Sequence, residues 1–102
     1  MDADFIRERI TRLRLKKGVS EYKMSYDLGH SRGYINNISS GKTLPSMTEF
    51  LAICEYCGVS PSDFFNTGVD DPVFSVELQR RVEKLGEEDR KLVLALADRL
   101  AE

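Results

Sequence analysis

Apolar residues recur at three- and four-residue spacing from the first positions onward, the period of an amphipathic helix. Phe5, Ile6, Ile10, Leu13 and Leu15 place a first helix over residues 4–17. Asp2 and Asp4 suit its start and Lys16 and Lys17 its end, where each complements the helix dipole, and Gly18 stops it. Ser20 caps a second helix over 21–28, with Met24 and Leu28 inward, and Gly29 ends it because glycine accepts the left-handed conformation of a tight turn. A third helix over 32–40 has Ser31 as cap, Ile35 and Ile38 inward and Gly41 as its close. Residues 46–49, S-M-T-E, read as a capping box that opens a fourth helix over 47–57, with Phe50, Leu51, Ile53 and Cys54 inward. Residues 60–63, S-P-S-D, pair a capping serine with a proline at the first helical position, and so start a short fifth helix ending near Phe65.

The stretch 66–72, N-T-G-V-D-D-P, reads as a linker. Beyond it, Ser75 caps a sixth helix that has Val76, Leu78, Val82 and Leu85 available for packing. A seventh, over 87–101, starts on three acidic residues and carries Leu92, Leu96 and Leu100 as one stripe, flanked by Val93 and Ala97. No alternation of period two persists anywhere, so the class is all-α.

The third helix is the odd one. Gly33 weakens a helix at its start, and Arg32 brings a positive charge to the positive end of the helix dipole. Two short helices joined by a tight glycine turn have the form of a helix-turn-helix. Such helices cross closely and need a small residue at the crossing, and Ser25 is placed for it. Because Ile35 and Ile38 take the core side, Arg32, Gly33, Asn36 and Asn37 fall on the free side.

With those residues in view, the chain resembles the Cro/repressor-type (Xre) helix-turn-helix domain. The resemblance runs from about Phe5 to Phe65 through R-L-R-L-K-K-G-V-S, M-S-Y-D-L-G-H-S-R-G-Y-I-N-N-I-S-S-G-K-T-L-P-S, L-A-I-C-E-Y-C-G-V-S and P-S-D-F-F, in register. It implies a compact five-helix repressor-like bundle over 1–67, with 68–102 as a helical extension. It also implies that the third helix enters the DNA major groove, with Arg32, Gly33, Asn36 and Asn37 facing the bases. Arginine can bridge guanine O6 and N7, and asparagine adenine N6 and N7. Ser31, Tyr34, Ser40, Lys42, Thr43 and Ser46 fall where such domains meet the DNA backbone, since hydroxyls, cations and helix N-termini suit phosphate oxygens. Two positions depart from the pattern. Glu21 stands where a phosphate-binding glutamine is usual, and Ser39 where a glutamate usually pairs with an arginine, here Arg14. Arg14 is therefore expected to find backbone carbonyls, another acid or solvent.

Charge sharpens this picture. The net charge of -2 hides an asymmetry. Residues 1–43 hold nine Lys and Arg against five Asp and Glu, and residues 44–102 hold six against twelve. A basic half on an acidic half suits a nucleic-acid face, although charge runs are most often solvated surface. Cys54 and Cys57 form a C-x-x-C pair, a spacing used for zinc or redox chemistry, but zinc needs about four ligands and His30 is the sole histidine. The pair reads as small apolar residues on a helix face, with no metal or other cofactor. His30 reads as a partly exposed turn residue, with phosphate contact or pH sensing as the alternative. There is no glycine-rich phosphate loop, G-x-S-x-G or H-E-x-x-H. Acidic groups at Asp70–Asp71 and at 87–89 fit loops and helix starts, so no catalytic residue is expected.

The expectation is a cytoplasmic, non-enzymatic DNA-binding regulator, most simply a repressor. It would bind a palindromic operator in double-stranded DNA as a homodimer through Leu92, Leu96 and Leu100, and would not engage a membrane. The alternative is a module of the same fold that binds protein, as an antitoxin does, with a partner held by the extension.

Overall fold

The computed structural model describes residues 1–68 and 72–102. Asp70 and Asp71, with the middle of the expected linker, lie outside the described residues. Seven helices follow in order: α1 (Ala3–Lys17), α2 (Glu21–Asp27), α3 (Tyr34–Ser39), α4 (Met47–Cys57), α5 (Pro61–Phe64), α6 (Pro72–Glu83) and α7 (Glu87–Leu100). The protein is all-α. No helix among the described residues is long and apolar enough to cross a membrane.

The local signals for helix ends hold where cap and helix are neighbours in sequence. Asp2 accepts the Phe5 N–H (3.0 Å), Ser20 the Lys23 N–H (3.0 Å) and Ser60 the Asp63 N–H (3.1 Å). The capping box is complete: Ser46 Oγ accepts the Glu49 N–H (3.1 Å), and the Glu49 carboxylate accepts the Ser46 N–H (2.8 Å). Each such cap satisfies backbone donors that a helix leaves unpaired, for about 1 kcal/mol.

Two helix starts differ from the sequence expectation. α6 begins at Pro72, so Ser75 lies inside it rather than capping it. Proline lacks the N–H that a first helical turn leaves unpaired in any case. α3 begins at Tyr34, so Ser31, Arg32 and Gly33 form a turn ahead of it, with Gly33 at the cap position. Ser31 contributes its carbonyl, which accepts the Tyr34 N–H at 3.1 Å, and its side chain makes no cap.

α1 to α5 enclose one core. Ile10 and Leu13 come from α1, Met24 from α2, Ile35 and Ile38 from α3, and Phe50, Ile53, Cys54 and Cys57 from α4, closed by Val59 and Phe64. Phe64 stands edge-on to Phe50 (ring centroids 4.9 Å) and to Phe5 (6.5 Å), as aromatic quadrupoles favour. Burial pushes both cysteine thiols up to about 11, so at neutral pH they are protonated, apolar-like groups rather than thiolates. Among the described residues, no group of three or more His, Cys, Asp or Glu is placed to hold a metal.

The segment from α6 onward meets this core through Val73, which packs against it. α7 turns back on α6, and its Arg90 ties the turn by donating to the carbonyls of Glu83 (2.6 Å) and Val82 (3.3 Å). α7 buries no residue.

Candidate nucleic-acid interface

α3 has only six residues, too few to hold a helix in water unaided. Its conformation is set from outside by three residues of other helices. Ser25, fully buried on α2, donates its hydroxyl to the Glu21 carbonyl (2.8 Å) and accepts the Ile35 N–H (3.0 Å). The cap that Ser31 was expected to supply thus comes from across the turn. The closeness of the α2–α3 crossing explains why a small hydroxylated residue occupies this position. At the other end, Arg7 on α1 donates through Nε to the Ile38 carbonyl (3.0 Å) and through Nη2 to the Gly41 carbonyl (3.3 Å). A cation on the last carbonyls of a helix satisfies orphan acceptors and complements the dipole. Along the side, the Glu21 carboxylate accepts from Ser39 Oγ and from Asn36 Nδ2 (3.3 Å). These contacts hold its pKa below the ordinary 4.5, the Ser39 hydroxyl contributing most and the Asn36 amide and the charge of Arg14 adding to it against partial burial. Glu21 therefore takes over the bracing of α3. Arg14, without a glutamate at position 39, donates to the Val19 carbonyl at 2.9 Å, one of the outcomes expected for it.

The turn itself is ordered in the same way. Gly29, at φ 76°, adopts the left-handed conformation that stops α2. His30 follows, its backbone N–H on the Ser25 carbonyl (2.9 Å), its ring stacked on Tyr34 (3.7 Å, 9°) and its Nε2 3.2 Å from Glu49 Oε2. The Tyr34 hydroxyl is buried. That burial, with the Glu49 charge beside it, pushes the phenol up to about 12. Tyr34 thus turns its hydroxyl inward, away from the surface where a phosphate contact would need it. Glu49 itself is held low, first by the Ser46 backbone N–H and then by the Ser46 hydroxyl, with smaller help from His30 and Tyr34.

What is left outward is a narrow edge. Arg32 is exposed, and among the described residues it forms no ion pair; its guanidinium lies over the Tyr22 ring at 5.8 Å. Gly33 has φ -93° and ψ 7°, and a Cβ built there would meet nothing within 4 Å. Neither backbone conformation nor space in the free protein requires glycine at this position. Asn37 is half-exposed, and its carbonyl is fixed by the N–H groups of Lys42 and Thr43, both at 3.0 Å. Its side-chain amide makes no hydrogen bond among the described residues, whereas that of Asn36 is already donating to Glu21. The two asparagines, equivalent in sequence, are therefore different in the fold. Ser31, Ser40, Lys42, Thr43 and Ser46 are exposed around this edge, with the Ser46 hydroxyl and N–H both engaged in the capping box. Leu92, Leu96 and Leu100 lie away from it on α7, 68%, 55% and 76% exposed.

Sequence reading alone did not single out Arg7, whose partners lie 31 and 34 positions ahead. α1 carries four arginines, Arg7, Arg9, Arg12 and Arg14, and nothing local in the sequence marks Arg7 out from the others. A family model described as a helix-turn-helix domain matches residues 8–68, more than half of the chain. Neither the curated proteins nor the solved structures contain a match to the chain. The helix pair, its glycine turn and that match agree with a Cro/repressor-type arrangement and indicate a DNA-binding regulator. The chain belongs to the helix-turn-helix domain family, with DNA as its indicated partner.

Proposed function

We propose that this protein is a sequence-specific transcriptional repressor that reads the major groove with α3 and the turn before it. The observation that carries the reading is the edge formed by Arg32, Gly33 and Asn37 on a helix clamped at both ends. Arg32 and Asn37 have uncommitted donors there, and Gly33 is a glycine the fold does not need. A bare backbone lets the turn approach base edges closely. Arg32 suits guanine and Asn37 adenine. With Asn36 held by Glu21, base reading rests on the other three. Lys42, Thr43, Ser40 and Ser31 surround the edge as backbone contacts.

The protein acts as a homodimer through α7. Its stripe of Leu92, Leu96 and Leu100 is exposed, and two copies crossing antiparallel bring their stripes together. A two-fold dimer presents two reading helices about one DNA turn apart, which suits a palindromic operator.

A second reading has one observation in its favour. The carboxylates of Glu21 and Glu49 stand in the first turns of α2 and α4, close to where a phosphate would dock. A module that kept the fold and binds protein instead would show this pattern.

The test is binding to duplex DNA from around the protein's own gene across a salt series, with Arg32→Ala, Asn37→Ala and Gly33→Ala alongside. Affinity falls steeply with salt through counterion release. Arg32→Ala costs about 1–3 kcal/mol and relaxes one base-pair preference. Gly33→Ala weakens binding while leaving thermal stability equal or slightly raised. Unchanged binding by all three variants would remove the site assignment, and binding no tighter than to random DNA would favour the protein-binding reading.

A further inference from the structure

Tyr22 and Tyr26 project from the outer face of α2, 56% and 71% exposed, and the core makes no use of either ring. Together with His30 and Arg32 they line an open cleft of about 220 Å³ beside the reading edge. Among the described residues neither tyrosine stacks on another ring, and the one group over the Tyr22 ring is the Arg32 guanidinium, 5.8 Å from its centroid. Arg32, for its part, sits in the turn ahead of α3, at the end of the helix dipole that repels a cation, and has no carboxylate beside it.

We infer that Tyr22 is a positioning residue for Arg32: its ring seats the guanidinium so that the side chain is already aimed when DNA arrives. The inference rests on the proposed role of Arg32 in base reading. An unseated arginine loses rotamer freedom on being fixed, and an aromatic face removes part of that loss beforehand. The two contacts do not compete. The ring quadrupole attracts the flat face of the guanidinium, while guanine O6 and N7 accept from its edge. Tyr22 thus sharpens discrimination at the base pair read by Arg32 without touching a base.

The experiment selects a duplex from a randomised pool with the full chain, and finds the base pair at which Arg32→Ala loses preference. It then compares the wild type, Tyr22→Leu, Tyr22→Phe and the Arg32→Ala/Tyr22→Leu double variant on the selected duplex and on one altered at that pair. Expected is a two- to fivefold loss for Tyr22→Leu on the selected duplex alone, the range an exposed cation–π contact allows. Tyr22→Phe, which keeps the ring, should match the wild type, and Tyr22→Leu should add nothing once Arg32 is gone. Equal weakening on both duplexes, or an equal loss in Tyr22→Phe, would overturn the inference and make Tyr22 a direct contact through its hydroxyl. No effect of Tyr22→Leu while Arg32→Ala loses discrimination would overturn it and leave the base-reading site standing. An Arg32→Ala variant that keeps full discrimination would overturn the base-reading role and the inference with it. In the free protein, Arg32 side-chain protons should show a ring-current shift by NMR that Tyr22→Leu abolishes. Its absence would overturn the seat independently of any DNA.

Discussion

Two regions of the chain write the same helical pattern and end in opposite physical states. α4 and α7 both carry an apolar stripe at three- and four-residue spacing. In α4 that stripe is buried as Phe50, Ile53, Cys54 and Cys57, while in α7 no residue is buried. Periodicity states that a helix has a face to cover; it does not state what covers it. In the first 68 residues five helices converge on one core and cover one another, so folding and placement are solved together. Beyond residue 72 a pair of helices folds back on itself and meets the core through Val73. The first region holds its shape through intramolecular burial. The second presents a surface.

The comparison breaks most visibly at Ile53, which is fully buried. Ile53→Ala should cost about 2–5 kcal/mol in denaturant unfolding, since a deleted core side chain loses its transfer energy and leaves a cavity. Ser25→Ala is smaller but more local. It strips the Ile35 N–H of its partner in a dry crossing, for about 1–3 kcal/mol, with amide exchange in α3 rising more than elsewhere. The α7 stripe should answer differently. Leu96→Asp should leave the melting temperature of a dilute sample within experimental scatter, yet abolish the rise in melting temperature with concentration expected of a dimer, and sediment as a monomer. A concentration-independent wild type would remove the contrast between the two regions. The smallest effect is at Glu21. Its folded pKa lies below the unfolded value near 4.5, so its contribution is present above that pH and is lost as pH falls through the folded pKa. Glu21→Gln should therefore be slightly less stable than the wild type at pH 7 and converge on it as the pH falls through the folded pKa, so that the acid limb of its stability curve is flatter.

How much of this was readable in advance depended on the distance between partners. Ser20, Ser46 with Glu49, and Ser60 cap helices three residues away, and residue type alone announces them. The same holds for Gly29, whose left-handed turn is a local necessity. The apolar faces of α1 to α4 were legible for the same reason, except at Leu15 and Leu51, which were expected inward and lie 62% and 52% exposed. The clamp on α3 was not. Ser25 reaches Ile35 across 10 positions, Glu21 reaches Ser39 across 18, and Arg7 reaches Ile38 across 31. Only the fold makes these neighbours, and once Ser25 fills the cap, the nearby Ser31 has no such work left. The candidate site divides along the same line. Arg32, Gly33 and Asn37 were placed outward because Ile35 and Ile38 had to face inward. That Asn36 is held by Glu21, and that Tyr34 turns its hydroxyl inward behind His30, depends on contacts between elements, which spacing does not encode.

The clamp has a consequence for descent. The residues that fix α3 (Arg7, Glu21 and Ser25) are not the residues that look outward from it, and neither Arg32 nor the open position at Gly33 contributes to the core. Substitutions along that edge are thus shielded from selection on folding. A lineage built on this plan can change the chemistry of that edge one side chain at a time, each intermediate remaining a folded protein, while the clamp residues stay under constraint.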